Sequence, residues 1–282
     1  MAKSSKIVML AITSDLHANS TVGLCPDERI RLDDGGLYEP NIGQRWLWAN
    51  WLDFWQFVAA ERDRQKAKLW NLFNGDLFEG TAHHGTTQVV SSHPEPQAYI
   101  ADRVFSIPKA LKPERVFVVR GTEAHVGPSG ASEEAFARSI RAERDPANKR
   151  WSWWHLRLDV HGIRIDAQHH GRTGARPWTR ATGIATLAAE IFYEHAARGL
   201  PHPHLAVRSH KHTYGDSFSA HPVRVLATPS FQLKTAFGHK VVPESIADVG
   251  GYIVTIYPDG QYEVKVKLYQ AELPAAWTEG AA

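Results

Sequence analysis

The sequence predicts an α/β protein in which two β-sheets pack together and helices lie outside them. In the first half of the chain, short apolar runs alternate with longer segments of helical periodicity, in the order β-α-β-α-β. The second half consists mostly of short strand-like segments around one strong helix. The length of 282 residues fits one large domain or two domains of about 150 residues. No linker divides the chain, so we expect a single domain over residues 1–282.

The first half of the chain contains three predicted strands and three predicted helices. Short, continuously apolar runs indicate the buried strands. The first helix is indicated by apolar side chains that recur with the 3.6-residue helical period, as Leu47, Trp51 and Trp55 do. Ser132 is the expected N-cap of the third helix. The predicted strands span residues 7–13, 69–74 and 115–120, and the predicted helices span residues 44–68, 97–111 and 132–143.

The second half of the chain contains six predicted strands and one predicted helix. The helix carries Ile184, Ala188 and Phe192 on a single apolar stripe. The last two strands are joined by Pro-Asp-Gly at residues 258–260, which is a hairpin turn signal. The predicted strands span residues 151–160, 163–169, 205–208, 223–228, 251–257 and 262–268, and the predicted helix spans residues 182–198.

Composition excludes several classes of function. The 32 basic and 30 acidic residues give a net charge of +2, so any binding to nucleic acid or to anionic membranes needs a local patch. The single cysteine, Cys25, cannot form an internal disulfide, which fits a reducing compartment. One cysteine is also too few for a cysteine-based zinc finger. No apolar run is long enough for a signal peptide or a membrane span. We therefore expect a soluble, cytoplasmic protein without a membrane partner.

Five predicted strands are each followed by a carboxylate or an imidazole. One such residue after a strand is usually part of a capped turn or an ordinary core histidine. Their shared position matters, because ligands bind at the carboxyl ends of the strands in open α/β sheets. The strand ends carry, in chain order, Asp15 and His17, Asp76 with Glu79, Glu123 and His125, His169 and His170, and His210 and His212. Together they predict a metal site.

The types of side chain indicate which metals the site binds. Carboxylates and imidazoles without thiolates suit Zn, Mn, Fe or Ni. Two carboxylates and four imidazoles exceed what one tetrahedral ion needs, but they suit two ions roughly 3.5–4 Å apart that share a carboxylate. Asp76 is the expected bridge, because an imidazole nitrogen has only one lone pair for a metal.

This ordered set of residues resembles the calcineurin-like metallophosphoesterase family. The family pattern is D-x-H, G-D-x-x-[DE], G-N-[HD], H and G-H-x-H. Residues 121–131 (GTEAHVGPSGA) are similar to the bacteriophage and prophage branch of that family. The resemblance spans residues 15–212, and its motifs stand as Asp15-x-His17, Gly75-Asp76-x-x-Glu79, Gly121-Thr122-Glu123-Ala124-His125, His170-Gly171 and Ser209-His210-x-His212.

The resemblance implies a fold and a ligand set. The implied fold is a four-layer αββα sandwich of two mixed β-sheets. The implied cofactors are two divalent metal ions, with Mn as the first expectation and Fe, Zn or Ni as alternatives. The implied ligands are Asp15, His17 and His212 for the first ion, His170 and His210 for the second, and Asp76 for both.

The third motif departs from the family pattern. Thr122 stands where the family has an Asn ligand, and Glu123 stands where it has a proton-donating His. We expect Glu123 to replace the Asn as a ligand of the second ion, and His125 to supply the acid. The alternative is that Glu123 only accepts a hydrogen bond from a ligand histidine.

The implied activity is hydrolysis of a phosphate ester by a hydroxide that bridges the two ions, with Asp76 and His125 as catalytic residues. Arg172 and Arg176 are the expected contacts of the substrate phosphate, with Trp178 as a stacking surface; the alternative is a solvated loop. His83 and His84 could line the rim of the site.

We expect a phosphodiesterase or nuclease, with a phosphate ester and, by extension, nucleic acid as the substrate. One alternative is a phosphomonoesterase that acts on a small or protein-borne phosphate. The other is a non-catalytic interaction module on the same fold.

Overall fold

The computed structural model of the protein describes residues 6–80, 88–172 and 177–272. Two single 3₁₀ turns, Pro128–Gly130 and Pro177–Thr179, accompany the regular elements. Within the described residues the strands are β1 (Val8–Thr13), β2 (Ile30–Arg31), β3 (Leu37–Tyr38), β4 (Lys68–Asn74), β5 (Arg115–Val119), β6 (Leu156–Val160), β7 (Ile163–His170), β8 (Leu205–Ser209), β9 (Gly215–Asp216), β10 (Arg224–Ala227), β11 (Val249–Ile256) and β12 (Tyr262–Tyr269). The helices are α1 (Ile42–Gln65), α2 (Pro94–Ala110), α3 (Glu123–Val126), α4 (Ala131–Ser139), α5 (Arg180–Ala197) and α6 (Ala236–Val241).

Ten of the strands form two mixed sheets of five strands each. The first sheet has the order β12-β11-β1-β4-β5, in which β1, β4 and β5 run parallel and the other pairs are antiparallel. The second sheet has the order β6-β7-β8-β10-β9, in which β7, β8 and β10 run parallel. Strands β2 and β3 pair with each other outside both sheets.

The two sheets pack face to face, and helices cover their outer faces. Strand β1 shows the strand period of two, because Leu10 and Ile12 join the core between the sheets while Met9 and Ala11 face the helices α1, α2 and α4. Helix α5 covers the second sheet through a smaller apolar cluster. The predicted four-layer αββα sandwich is therefore confirmed.

Helix α1 supplies much of the core outside the first sheet. Trp51, Phe54 and Trp55 are buried there and make edge-to-face ring contacts. The helix begins two residues earlier than expected, because Asn41 and Gln44 form a capping box. It ends before Lys66, which adopts a left-handed conformation as the C-cap.

Two sequence-based expectations for the region around α4 are wrong. Ser132 does not cap α4, because Gly130 precedes the helix and the Ser132 hydroxyl donates to the Val126 carbonyl. The strand expected from residue 151 begins only at Leu156. Before that point the chain bridges instead to β5 of the first sheet, because the Trp153 amide donates to the Val118 carbonyl at 2.8 Å and the Trp153 carbonyl accepts from the Arg120 amide at 2.8 Å. The carboxylate of Glu134 accepts hydrogen bonds from the amides of Trp151 and Ser152 beside it.

The topology brings the carboxyl ends of strands from both sheets to one end of the sandwich. A buried asparagine at the end of β4 ties them together, because Asn74 Nδ2 donates to the Gln168 carbonyl at 3.0 Å and to Ser209 Oγ at 2.6 Å. The loops that follow β1, β4, β5, β7 and β8 therefore face one another. Across the described parts of the chain, no helix has the length and apolar character that crossing a membrane requires.

Candidate metal centre

Imidazoles and carboxylates from the five strand ends meet in one place. Four groups of three side chains each offer ligand atoms that lie within 4.8 Å of one another. Neighbouring groups share members, so the set is a continuous cluster rather than separate triads. The first group is Asp15, His17 and His212, and the second is His169, His170 and His210. The other two are Asp15, Asp76 and His169, and His17, Glu79 and His125.

Several residues of the cluster adopt a left-handed backbone conformation. The φ angle is 51° at Asp15, 43° at His17, 53° at Asp76, 75° at His210 and 50° at His212. Such conformations cost on the order of 1–3 kcal/mol each in residues other than glycine, and they concentrate at functional sites. Here they turn each side chain inward directly after its strand.

Two glycines allow the loops to approach this closely. Gly75 has a φ of 89°, and a Cβ there would lie 2.5 Å from Nδ1 of His169. A Cβ at Gly121 would lie 2.2 Å from Oδ1 of Asp76. Any larger residue at either position would push the cluster apart.

The first group resembles one half of a metal site. Oδ1 of Asp15 lies 3.2 Å from Nε2 of His212. Nδ1 of His17 lies 2.8 Å from Oε2 of Glu79. Since an ionised carboxylate only accepts, Nδ1 of His17 carries the proton and Nε2 holds the lone pair. That Nε2 atom is buried and has no hydrogen-bond partner among the described residues.

This arrangement at His17 fits a metal ligand. Histidines that bind metals usually donate their other ring N–H to a carboxylate or a carbonyl, which fixes the tautomer and the ring orientation. A buried ring nitrogen without a partner is otherwise costly. The residues of the first group therefore fit a divalent cation.

The second group contains two adjacent histidines of β7. Nδ1 of His169 donates to the Asn74 carbonyl at 2.7 Å, and Nε2 lies 3.0 Å from Oδ2 of Asp76. The rings of His170 and His210 lie 4.7 Å apart between centroids. The hydroxyl of Thr122 lies 3.3 Å from Nε2 of His170 and 3.1 Å from Nδ1 of His210. Thr122 therefore connects the third motif to this group.

Electrostatic interactions keep the carboxylates of the cluster ionised. Burial alone would raise the pKa of Asp15, but the neighbouring His212 and His169 lower it to about 2. Burial likewise opposes ionisation of Glu79, yet hydrogen bonds from His125 and His17 lower its pKa to about 2. The pKa of Asp76 is lowered as well, by His169 against the effect of burial.

The imidazoles divide into two classes. Burial and the positive charge of His169 lower the pKa of His210 to about 4, and burial also lowers the pKa of His17 and of His170. These three rings are therefore neutral near pH 7, as metal ligands must be. At His169, burial opposes the charge, but Asp76 and Asp15 raise the pKa to about 10.

The structure brings most of the predicted site residues into the cluster. Nδ1 of His125 lies 3.0 Å from Oε1 of Glu79, and the ring packs edge-to-face on His17 at 4.5 Å between centroids. The predicted residues that meet here are Asp15, His17, Asp76, His125, His170, His210 and His212.

Glu123, expected as a ligand of the second ion, does not reach the cluster. Helix α3 begins at this residue, and its carboxylate turns back to accept a hydrogen bond from the Ser129 amide at 3.0 Å. The hydroxyl of Thr122, one residue earlier, faces the second group in its place. The proposed substitution of Glu123 for the family's Asn therefore has no support in the geometry.

Arg172, expected to contact the substrate, does not lie at the centre. Arg172 is 67% exposed as a side chain, and its guanidinium pairs with Glu190 at 2.7 Å. Arg176, His83 and His84 lie outside the described residues.

The predicted ligands included His170 but not His169, and Glu133 was given no role. His169 could have been recognised, because Ile163, Ile165, Ala167 and His169 share the inward face of β7 by the strand period of two. Glu133 gave no such signal. It is buried, and it accepts hydrogen bonds from the amides of Leu77 at 3.1 Å and Gly121 at 2.6 Å.

The centre opens into a cleft with a volume of about 1160 Å³. His17, Asp76 and Glu79 lie at its floor. The side walls come from the beginning of α5, from the loop that carries His210 and His212, and from residues 232–247 around α6. Lys211 is among the lining residues.

Comparisons with known proteins show a similarity in structure at low identity. No family model matches the sequence, and no curated protein matches it. A 5'-nucleotidase precursor from Thermus thermophilus is 17% identical over 93% of this chain and 54% of its own, with a TM-score of 0.40. A dimetal phosphatase from Danio rerio is 9% identical over 94% and 100%, with a TM-score of 0.42. A 5'-nucleotidase from Candida albicans is 11% identical over 94% and 51%, with a TM-score of 0.40.

This chain spans about half the length of the two 5'-nucleotidases. At these identities and TM-scores, none of the similarities assigns an activity to this chain. Membership of the calcineurin-like family, and of its bacteriophage and prophage branch, stays a prediction from the sequence motifs.

Proposed function

We propose that the protein is a metal-dependent phosphoesterase with a centre for two divalent ions. The observation that carries the proposal is the arrangement of the ligand atoms. The first and second groups are joined through Asp15, Asp76 and His169, whose ligand atoms also lie within 4.8 Å of one another. Nε2 of His17 is buried without a partner among the described residues. In this proposal, Asp76 is shared by both ions. Asp15, His17 and His212 would hold one ion, and His170 and His210 would offer nitrogens to the other, while His169 pairs with Asp76.

Two bound divalent ions would lower the pKa of a water molecule and stabilise negative charge on the phosphate oxygens. The remaining tasks belong to the side chains. The ester oxygen that leaves needs a proton, and His125 is placed to donate it from Nε2, because its Nδ1 already donates to Glu79.

One carboxylate orients both the proton donor and a metal ligand. The two oxygens of Glu79 accept from His125 and His17, and Gln232 Nε2 donates to the same carboxylate at 3.2 Å. Because Glu79 is buried and ionised, it holds both rings in fixed tautomers. The geometry of the acid is thereby coupled to the geometry of the first metal site.

Lys211 is the cation that we propose for the substrate phosphate. It lines the cleft between His210 and His212, and it makes no hydrogen bond or ion pair with any described residue. Arg172, by contrast, is neutralised by Glu190. An unpaired ammonium beside the centre would attract an anionic ester.

The size of the cleft favours a diester as the substrate. Pockets for small ligands have volumes of roughly 300–1,000 Å³, and this cleft is larger, at about 1160 Å³. A diester, which carries a group on each side of the phosphate, is the larger of the two candidate substrates. We therefore propose phosphodiesterase or nuclease action rather than action on a small monoester.

Hydrolysis assays with defined metals test the proposal. Protein stripped with a chelator and reloaded with Mn, Fe, Zn or Ni is assayed on bis-p-nitrophenyl phosphate and on p-nitrophenyl phosphate. We expect metal-dependent hydrolysis with preference for the diester. His212→Ala should lose most of the activity, whereas His195→Ala, near the C-terminal end of α5, should keep it. Equal loss in both variants, or no hydrolysis with any metal, would refute the phosphoesterase; preference for the monoester would refute the diesterase.

A further inference from the structure

Beyond the metal centre, one wall of the cleft is apolar and exposed. It combines Trp178, at the turn before α5, with Phe237 and Val241 of α6. The side chains are 75%, 46% and 56% exposed, respectively. Large apolar side chains at this exposure on the lining of a cleft usually mark a surface for a ligand or partner. We call these three residues the apolar wall.

One hydrogen bond and one ion pair connect the start of α5 to the loop that follows α6. Arg180, two residues after Trp178, donates to Ser245 Oγ at 3.2 Å and lies 3.5 Å from the carboxylate of Asp248. Residues 245–248 lie in the loop that begins after α6 ends at Val241. Trp178 and α6 therefore line the same cleft, although Trp178 precedes the start of α6 at Ala236 by 58 positions.

The same residues connect the apolar wall to the metal centre. The amide of Asp248 donates to the His212 carbonyl at 3.0 Å, and its carboxylate accepts from the Tyr214 amide at 2.7 Å. His212 is a proposed ligand of the first ion. Arg180, Asp248 and His212 thus connect the apolar wall to the proposed first metal site through successive contacts.

Charges on the cleft favour an anionic ligand at the foot of this wall. Among the described residues, three cations line it, Arg180, Lys211 and Lys234, against one carboxylate outside the metal cluster, that of Glu244. Arg180 is engaged by Asp248, and Lys234 donates to the Pro243 carbonyl. Lys211 stays unpaired within the described residues. A ligand that fits has a negative group near Lys211 and an apolar, flat group beside it.

We propose that the apolar wall stacks a nucleobase of a nucleotide phosphodiester whose scissile phosphate lies near Lys211. This rests on the proposed phosphodiesterase function for the reaction itself. Trp178 and Phe237 bring aromatic rings from two separate segments to the lining of the cleft, and aromatic rings stack on bases without regard to sequence. A nucleotide unit carries a flat, apolar group and an anion in one molecule.

The test compares three p-nitrophenyl diesters in the Mn-loaded protein. Their second alcohol is thymidine, linked through its 5' oxygen, methanol or hexanol. All share the leaving group, so ratios of kcat/KM report the second group alone. We expect the wild type to favour the thymidine ester over both others. Trp178→Ala and Phe237→Ala should each lower the ratio of the thymidine to the methyl ester by about 5- to 150-fold, and Trp178→Phe should restore most of it.

Tyr193→Ala is the matched control, because Tyr193 is an exposed aromatic residue of α5 that does not line the cleft. Its ratio should equal that of the wild type. An unchanged ratio in Trp178→Ala and Phe237→Ala would overturn the stacking proposal. A hexyl ester that is favoured as strongly as the thymidine ester, and lost equally in the variants, would also overturn it in favour of a lipid-like substrate.

A binding measurement separates this proposal from the proposed function. If none of the three esters is hydrolysed, the phosphoesterase fails, but titration calorimetry with a thymidine dinucleotide still tests the apolar wall. The Kd should rise about 5- to 150-fold in Trp178→Ala relative to the wild type and to Tyr193→Ala. Equal affinity in all three proteins, or binding to none, would overturn the stacking proposal by itself.

Discussion

The carboxylate of Glu79 lies 2.8 Å from Nδ1 of His17, in a contact that is buried on both sides. The contact decides the chemistry of the histidine, because it places the proton on Nδ1 and points the lone pair of Nε2 into the cluster. Glu79 comes three residues after Asp76, so one short loop delivers both the shared carboxylate and the group that orients a ligand of the first ion.

Glu79→Gln should weaken metal binding and slow the reaction. A glutamine amide presents one acceptor and one donor, so it cannot accept from both His17 and His125. Loss of such an orienting partner typically costs 10–100-fold in metal affinity or activity. Titration calorimetry of the stripped protein with Mn measures the change in metal affinity. Glu61 of α1 has a carboxylate that pairs with Arg64 and Lys265. Glu61→Gln removes that carboxylate and should leave the metal affinity unaltered.

Gly121→Ala should displace Asp76 and abolish binding of at least one ion. The new Cβ would lie 2.2 Å from both the amide nitrogen and Oδ1 of Asp76, and the buried surroundings offer no space to relax. Metal content after dialysis is the measurement. Gly162→Ala serves as the comparison, because nothing lies within 4 Å of its Cβ and its cost is limited to the backbone at a φ of 88°. Full metal content in Gly121→Ala would show that the loop tolerates a side chain.

Lys211→Ala should raise KM for an anionic ester while leaving metal content intact. The ammonium has no partner among described residues, so its removal leaves no buried group unsatisfied. Loss of one charge-assisted contact should raise KM by about 10-fold, and high salt should reduce the difference from the wild type. Lys240→Ala, on α6, removes an exposed charge that does not line the cleft. An equal effect in both variants would assign the change to net charge.

The stability of the metal-free protein should depend on Asp166 in acid. Burial opposes its ionisation, but His155 and Arg208 lower its pKa from 3.8 to about 2. Because the pKa is lowered, the folded state binds fewer protons than the unfolded state at pH values between about 2 and 3.8. The stabilisation is therefore complete above about pH 4 and disappears as the pH falls through about 2, with a size of about 2 kcal/mol.

Urea unfolding of the wild type and Asp166→Asn, in the presence of a chelator, tests this dependence. The difference in free energy of unfolding should be largest at pH 6 and should shrink by about 2 kcal/mol towards pH 2. A difference that stays constant with pH would show that Asp166 titrates normally in the folded state.

The sequence was most informative where strand and ligand coincide. Asp15, His17, Asp76, His210 and His212 each follow a buried strand, and parallel pairing brings such ends together whatever the details of packing. Their positions in one cluster therefore followed from the pattern of strands alone. Their roles as ligands stay proposals.

The errors occurred where a local turn decides the direction of a side chain. Glu123 and Thr122 are neighbours, and the onset of α3 turns the first away and leaves the second at the centre. Likewise, both His169 and His170 join the cluster because β7 extends one residue further than expected and its register shifts between Ala167 and His170. Lys211 was missed because it has no pattern in sequence; only the cleft shows that it lies among the functional groups.

Two ions that share Asp76 would be held close enough for their spins to couple when both are Mn. Metal analysis and electron paramagnetic resonance are measured on the stripped protein reloaded with Mn. We expect about two Mn ions per chain with a spin-coupled spectrum, and loss of the coupling in Asp76→Asn. One ion per chain or fewer, or two ions without coupling in the wild type, would contradict this arrangement.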